Sequence, residues 1–157
     1  MVITGTLQTA ANAIGQWRTE HSSINGAIGQ LRRWIAEALR AEPASWPEPL
    51  HGELAMRLRA IAESMRSHFQ LTGEIYDALG AEFWCIEVES AKRIAAADHD
   101  HLLVRLDSLI ARLCETPSTF ASLADAVEEL EWIFDQLDQH EESVSDSFEW
   151  LLLTDCG

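Results

Sequence analysis

The sequence predicts an all-α protein, an antiparallel up-down-up-down four-helix bundle, and three observations support this fold class. Apolar residues recur at steps of three and four over four long segments, which is the period of a helix with one buried face. Three short connections join the segments, and short connections place consecutive helices antiparallel. The chain has 157 residues, 47% of them hydrophobic, so we expect one domain over residues 1–157.

Each predicted helix has a start or a stop in the sequence. The four helices are predicted at about Thr6 to Ala41, Leu50 to Leu79, Ala81 to Cys114 and Phe120 to Leu153. Three prolines in the segment AEPASWPEP end the first helix. Gly80 is the predicted stop of the second helix, and Ser118 or Thr119 is the candidate N-cap of the fourth.

The charge balance excludes some partners. The formal net charge is −15, from 26 acidic and 11 basic residues, and such a surface repels nucleic acid and anionic lipid. A metal cation or a basic protein is favoured electrostatically, although the same charge also simply aids solubility. Three cysteines without a CxxC pair, no signal-peptide pattern and no apolar stretch of about 18 residues predict a cytoplasmic protein.

The chain repeats itself around four histidines. When His21 is aligned with His99, the apolar positions three, seven and ten residues downstream coincide, and an acidic residue precedes each histidine. When His68 is aligned with His140, the apolar positions three, seven and ten residues upstream coincide. The sequence therefore predicts two helical hairpins of one plan, each with two inward histidines.

The presence of four inward imidazoles can be interpreted in two ways. A histidine on an apolar face is commonly a neutral core residue with a single hydrogen bond. Each buried imidazole nevertheless carries a donor and an acceptor, and an unmet polar group costs about 1–3 kcal/mol. A shared metal would satisfy several acceptor nitrogens at once.

In this bundle, its repeat and the order of its histidines, the sequence resembles the hemerythrin-like (HHE) cation-binding domains over most of its length. The segment EHSSI opens the pattern on the first helix and DHDHL on the third. The resemblance implies that His21, His68, His99 and His140 are metal ligands at a non-haem di-iron centre, with iron as the cofactor.

The carboxylate positions depart from the family pattern. The family places a carboxylate four or five residues after the histidine of the second helix and after that of the fourth. In this chain the residues at those distances from His68 are Thr72 and Gly73, and neither is acidic. Val144 and Ser145 stand at the corresponding places after His140. Glu74 and Asp146 come six residues after their histidines, about 120° away around a helix. Zinc, copper, a single iron or no metal therefore stay open as alternatives.

Other polar residues near the pattern are expected on the surface. His101 lies about 200° around the helix from His99, and His51 follows the proline-rich connector. The helix bearing His140 has a run of acids that reads as a solvated face, comprising Glu128, Glu129, Asp138, Glu141 and Glu142.

The aromatic and cysteine side chains are expected mainly to fill the core. Trp17, Trp132 and Trp150 lie on or beside apolar stripes, and Cys85 and Cys114 read as small core residues. Trp46 in the connector is expected to be exposed, and Trp84 is a candidate for an interface.

The favoured function is a hemerythrin-like metal-binding protein, with iron as the expected ion, that binds or senses dioxygen or a related small ligand. The alternative is a metal-free bundle that acts as a protein-interaction or regulatory module. A redox enzyme on the same site ranks third, because the bridging carboxylates are missing and the sequence favours a non-enzymatic role. A protein partner or a homodimer is compatible with the exposed aromatic candidates.

Overall fold

The predicted fold class is confirmed by a computed structural model, which describes residues 3–41, 48–83 and 85–153. The four helices are α1 (Ile3–Ala41), α2 (Glu48–Phe83), α3 (Ile86–Leu113) and α4 (Leu123–Leu153). The described ranges contain no β-strand. Trp46, Trp84, Cys156 and most of the proline-rich connector lie outside them, so the predictions made for these residues stay predictions.

The helices form a closed ring in which each packs on the next and α1 also packs on α4. The ion pairs Arg18–Glu149 and Arg32–Glu131 join α1 to α4, and the residue number rises on one helix as it falls on the other. The contacts between the other neighbouring helices show the same opposite order. They are Trp17–Thr72 and Trp34–Arg57 between α1 and α2, Arg66–Asp107 and Asp77–Lys92 between α2 and α3, and Asp98–His140 and Arg112–Glu129 between α3 and α4. Neighbouring helices therefore run antiparallel.

The core consists of two apolar clusters, one toward each end of the bundle. On α1 the boundary between them falls between Trp17 and Ile24, and on α4 it falls between Leu137 and Val144. The histidines lie at this boundary, so two apolar layers enclose a polar layer at mid-bundle. Nothing in the described residues provides a helix long and apolar enough to cross a membrane.

Three predicted helix ends are wrong. The third helix begins at Ile86 and not at Ala81, which belongs to α2. The second helix does not stop at Gly80 but continues to Phe83. Gly80 has no positive φ, and a Cβ there would make only an ordinary van der Waals contact with Val88 Cγ1 at 3.5 Å, so nothing in the fold requires glycine at this position. The fourth helix is capped by Ser122, whose Oγ accepts a hydrogen bond from Asp125 N at 3.2 Å, not by Ser118 or Thr119.

Three of the core assignments are also wrong. Trp17 is buried as predicted, whereas Trp132 and Trp150 are 39% and 48% exposed. Cys85 is half-buried, but Cys114 is exposed just beyond the end of α3. Trp132 and Trp150 lie outside the buried stripe of α4, and Cys114 follows the last residue of α3.

We expect Ser122→Ala to lower the free energy of unfolding by about 1 kcal/mol, because Asp125 N loses its capping acceptor. This corresponds to a thermal midpoint about 3 °C lower for a chain of this size. The matched control is Ser108→Ala, an exposed serine within α3, where alanine should be neutral or slightly stabilising. Equal midpoints for Ser122→Ala and the native protein would show that the cap contributes nothing.

Candidate metal-binding cluster

Three helices bring two histidines and one glutamate together at mid-bundle. His21 from α1, His68 from α2 and Glu141 from α4 each offer one ligand atom, and these atoms all lie within 4.8 Å of one another. Glu141 Oε2 is 2.8 Å from His68 Nε2 and 3.2 Å from His21 Nδ1. His68 and Glu141 are buried, whereas His21 is partly exposed.

The burial of Glu141 corrects the prediction that it belongs to a solvated face, since the residue is only 2% exposed. The core face of α4 is wide, with Leu137 and Val144 at its middle. His140 and Glu141 differ by about 100° and so occupy the two edges of this face. His140 therefore points toward α3, and Glu141 points toward α1 and α2.

The hydrogen bonds around Glu141 indicate which ring nitrogens carry protons. His68 Nε2–H donates to Glu141, while His68 Nδ1 lies 3.6 Å from Glu20 Oε2. Asn25 Nδ2 lies 3.0 Å from His21 Nε2 and donates to it when His21 is neutral, which leaves Nδ1–H of His21 to donate to Glu141. A protonated His21 donates from both nitrogens, and the Asn25 amide then turns its oxygen to His21 Nε2. The carboxylate is thus held by two imidazole donors.

These contacts shift the ionisation of the cluster. Burial raises the pKa of Glu141, but the hydrogen bonds from His21 and His68 outweigh burial and lower that pKa to about 2. The hydrogen bond to Glu141 raises the pKa of His21 against the opposing effect of burial. Glu141 is therefore an anion at neutral pH, available as a charged ligand or as the partner of a protonated His21.

His99 and His140 form a second pair in the same polar layer. Their ring centroids are 4.6 Å apart, and Asp98 Oδ2 accepts a hydrogen bond from His140 Nδ1 at 3.1 Å. His99 stacks on Phe69 with centroids 3.9 Å apart, and the Phe69 ring also contacts His68. Burial, assisted by the charge of His140, lowers the pKa of His99 to about 3, so His99 is neutral at physiological pH.

Several buried polar atoms in this layer have no hydrogen-bond partner among the described residues. They are Glu20 Oε2, His68 Nδ1, His99 Nε2, His140 Nε2 and Glu141 Oε1. An unmet buried polar group costs about 1–3 kcal/mol, so five such atoms in one layer are unfavourable unless something binds them. A cation is the simplest partner for atoms that offer lone pairs.

The positions where the family pattern places carboxylates have other roles here. Thr72 Oγ1 accepts a hydrogen bond from Trp17 Nε1 at 2.9 Å and donates to the carbonyl oxygen of His68. Val144 is part of an apolar cluster, and Glu74 and Asp146 are exposed. The sequence analysis missed Glu141 as the buried carboxylate.

The acidic residues directly before His21 and His99 take part in the polar layer, a role that their repeated position in the sequence could have indicated. Glu20, before His21, approaches His68 on the neighbouring helix, and Asp98, before His99, binds His140. Both halves of the repeat thus use the same preceding acid for the same contact.

The prediction of a surface position is right for His101 and wrong for His51. His101 is exposed, as predicted, and its ring contacts Trp132 edge to face. His51 is buried at 7% exposure, so the prediction of a surface position is wrong. Because α2 begins at Glu48, His51 falls within its first turn, on the same face as Leu54 and Leu58.

The pKa values predict a pH range in which the stability of the folded chain changes mainly because of His99. The pKa of His99 is about 3 in the folded chain, below the usual 6.5, so between these pH values the unfolded chain binds a proton at His99 and the folded chain does not. Stability is then complete above pH 6.5 and is lost as the pH falls toward 3. Glu141 adds its own loss only below 4.5, and the raised pKa of His21 acts only above 6.5.

We therefore expect the metal-free protein to lose stability between pH 6.5 and 4.5, and His99→Leu to lose markedly less. Urea unfolding of both proteins with a chelator across this window measures the difference. His101→Leu, at an exposed histidine, is the control and should keep the native slope. Equal slopes for the native protein and His99→Leu would contradict the assignment.

Comparison with known proteins leaves the family open. No family model matches the chain, and no curated protein or solved structure is significantly similar to it. The hemerythrin-like resemblance therefore stays a prediction, and function must be inferred from the contacts in the bundle.

Proposed function

We propose that this chain is a metal-binding bundle protein that holds a divalent transition-metal ion between His21, His68 and Glu141. The observation that carries the proposal is the convergence of three ligand atoms within 4.8 Å inside a layer of unmatched polar atoms. Glu141 supplies the negative charge that histidine ligands alone would lack. Closely packed helices enclose the cluster and would limit competition from solvent.

The donor set favours some metals over others. Two imidazoles and one carboxylate are the ligands of mononuclear non-haem Fe²⁺ sites and of catalytic Zn²⁺ sites. Iron is the ion that the hemerythrin-like resemblance implies, and zinc is the alternative. A di-iron centre suits the residues less well, because only Glu141 among the described carboxylates joins the three-residue group.

The chain provides residues that would orient the two histidine ligands. If His68 binds through Nε2, its proton moves to Nδ1, which faces Glu20 Oε2 at 3.6 Å. If His21 binds through Nδ1, its Nε2–H faces the Asn25 amide, whose oxygen can accept it after the amide flips. Glu20 and Asn25 would then fix the tautomers of the ligands.

A site with three protein ligands leaves coordination positions for a small molecule. Binding or sensing of dioxygen or a related ligand therefore belongs to the proposal. Two cavities of about 180 and 140 Å³ lie along the seam between α3 and α4, and Asp98, His140 and Ser143 border both. They reach the polar layer at His140, and none of the three proposed ligands lines them.

One observation favours the alternative, a metal-free bundle that acts as an interaction or regulatory module. Glu141 is already held by two imidazole donors, so a buried ion pair with protonated His21 would satisfy much of the cluster without a metal. The two proposals differ in whether metal stabilises the folded chain.

Metal should raise the thermal midpoint of the native protein, and His68→Leu should lose most of that increase. An ion that binds only the folded state stabilises it by about 2.7 kcal/mol at a hundredfold excess over Kd. Melting with Fe²⁺, with Zn²⁺ and with chelator measures the effect, and His101→Leu should respond like the native protein. A native midpoint that neither ion moves would favour the metal-free module.

The repeat predicts how a second ion could be added. Phe69 follows His68 as Glu141 follows His140, and Phe69 contacts His99 as Glu141 contacts His21. Phe69→Glu should therefore supply the missing anionic ligand beside His99 and His140, and raise metal per chain from one ion to two.

The measurement is metal content after anaerobic Fe²⁺ loading and desalting. Phe69→Gln is the matched control, because glutamine has nearly the shape and polarity of glutamate but no charge. The Phe69→Gln protein should bind one ion per chain. A Phe69→Glu protein that folds in Fe²⁺ yet keeps one ion would refute the equivalence of the two halves.

A further inference from the structure

Charge is segregated along this chain. All 11 Lys and Arg residues lie between Arg18 and Arg112, so α4 contains none. Acidic residues are frequent on α4, and only Glu141 among them is buried. The outer surface of this helix is therefore much more negative than the rest of the bundle.

One line of exposed residues follows the outside of α4 at steps of three and four. We call it the α4 outer stripe, and it consists of Glu128, Trp132, Asp135, Gln139, Glu142, Asp146 and Trp150. Two acids beside the stripe are neutralised, since Glu131 pairs with Arg32 and Glu149 with Arg18. The four acids of the stripe form no ion pair within the described part of the chain, so their charge is available to a partner.

Two exposed tryptophans stand toward the two ends of this acidic line. Trp132 and Trp150 are 39% and 48% exposed and 18 residues apart, which is about 27 Å along a helix. Arg105 Cζ lies 4.5 Å from the Trp132 ring centroid, so this indole already accepts a guanidinium on its face. Half-exposed tryptophan is typical of protein interfaces and is uncommon on surfaces that serve only solubility.

We propose that the α4 outer stripe binds a cationic, amphipathic helical segment of a protein partner. Lys and Arg of that segment would face the four carboxylates, and its apolar residues would cover the two indoles. A second copy of this chain would bring a like-charged face, and nucleic acid or an anionic membrane would be repelled. The stripe lies on the outer side of α4 and contains none of the three proposed ligands, so this proposal does not depend on the metal proposal.

The probe for this surface is a synthetic amphipathic helical peptide of Lys, Leu and Ala, about 20 residues and about 30 Å long. A fluorescent label on the peptide allows titration with the protein by anisotropy at physiological ionic strength. The stripe is neutralised by four substitutions, Glu128→Gln, Asp135→Asn, Glu142→Gln and Asp146→Asn. This variant should bind the peptide about tenfold more weakly or worse.

The control variant removes the same charge from other faces of the bundle. It carries Glu37→Gln, Glu87→Gln, Asp100→Asn and Glu115→Gln, all at exposed acids that form no ion pair among the described residues. Screening over about 8 Å makes distant charges weak contributors, so the control should lose less than about threefold. Equal losses in the two variants, or no binding of the peptide to the native protein, would overturn the proposal.

The tryptophans provide an independent readout. Trp132→Ala with Trp150→Ala should weaken binding about tenfold, and the corresponding pair of Phe substitutions should restore most of it, because an aromatic face is retained. Unchanged binding in the Ala pair would overturn the assignment of the indoles. Thermal melting of the Phe pair confirms that the bundle is intact.

Discussion

The interior of this bundle depends on one buried carboxylate. Glu141 is almost inaccessible, and burial of an unpaired charge would cost several kcal/mol. His68 and His21 offset that cost by donating to the same oxygen, from helices 73 and 120 positions away along the chain. This contact requires α1, α2 and α4 to lie in one register, because a shift by one helical turn would leave the charge without donors.

The two halves of the repeat differ at the residue that follows the histidine of each even-numbered helix. Phe69 and Glu141 each follow the histidine of an even helix, and each contacts the histidine of the next odd helix around the ring. Phenylalanine makes one half an aromatic stack in which His99 is neutral, with a pKa of about 3. Glutamate makes the other half ionic, since its carboxylate keeps its charge and raises the pKa of His21. This difference makes one half aromatic and the other ionic. The halves also differ at Trp17 and Asn25, which contact His21 and whose repeat counterparts are Ala95 and Leu103.

The two faces of α4 show how one helix serves two environments. Its inner face carries Glu141 among apolar residues, where each polar atom needs a specific partner. Its outer face carries acids that water solvates at little cost, so nothing inside the protein requires their number or their alignment with Trp132 and Trp150. Selection for folding therefore explains the inner carboxylate better than it explains the outer stripe.

Periodicity in the sequence determined the four helices, the inward direction of His68, His99 and His140, and the repeat that relates the two hairpins. These features follow from local spacing, since residues three and four apart share a face whatever packs on it. Only the tertiary structure decided that Glu141 is buried and that Glu20 and Asp98 serve histidines on neighbouring helices. A residue at the edge of a wide apolar face is inside or outside according to the helix that covers that edge, and spacing within one helix carries no information about its neighbour.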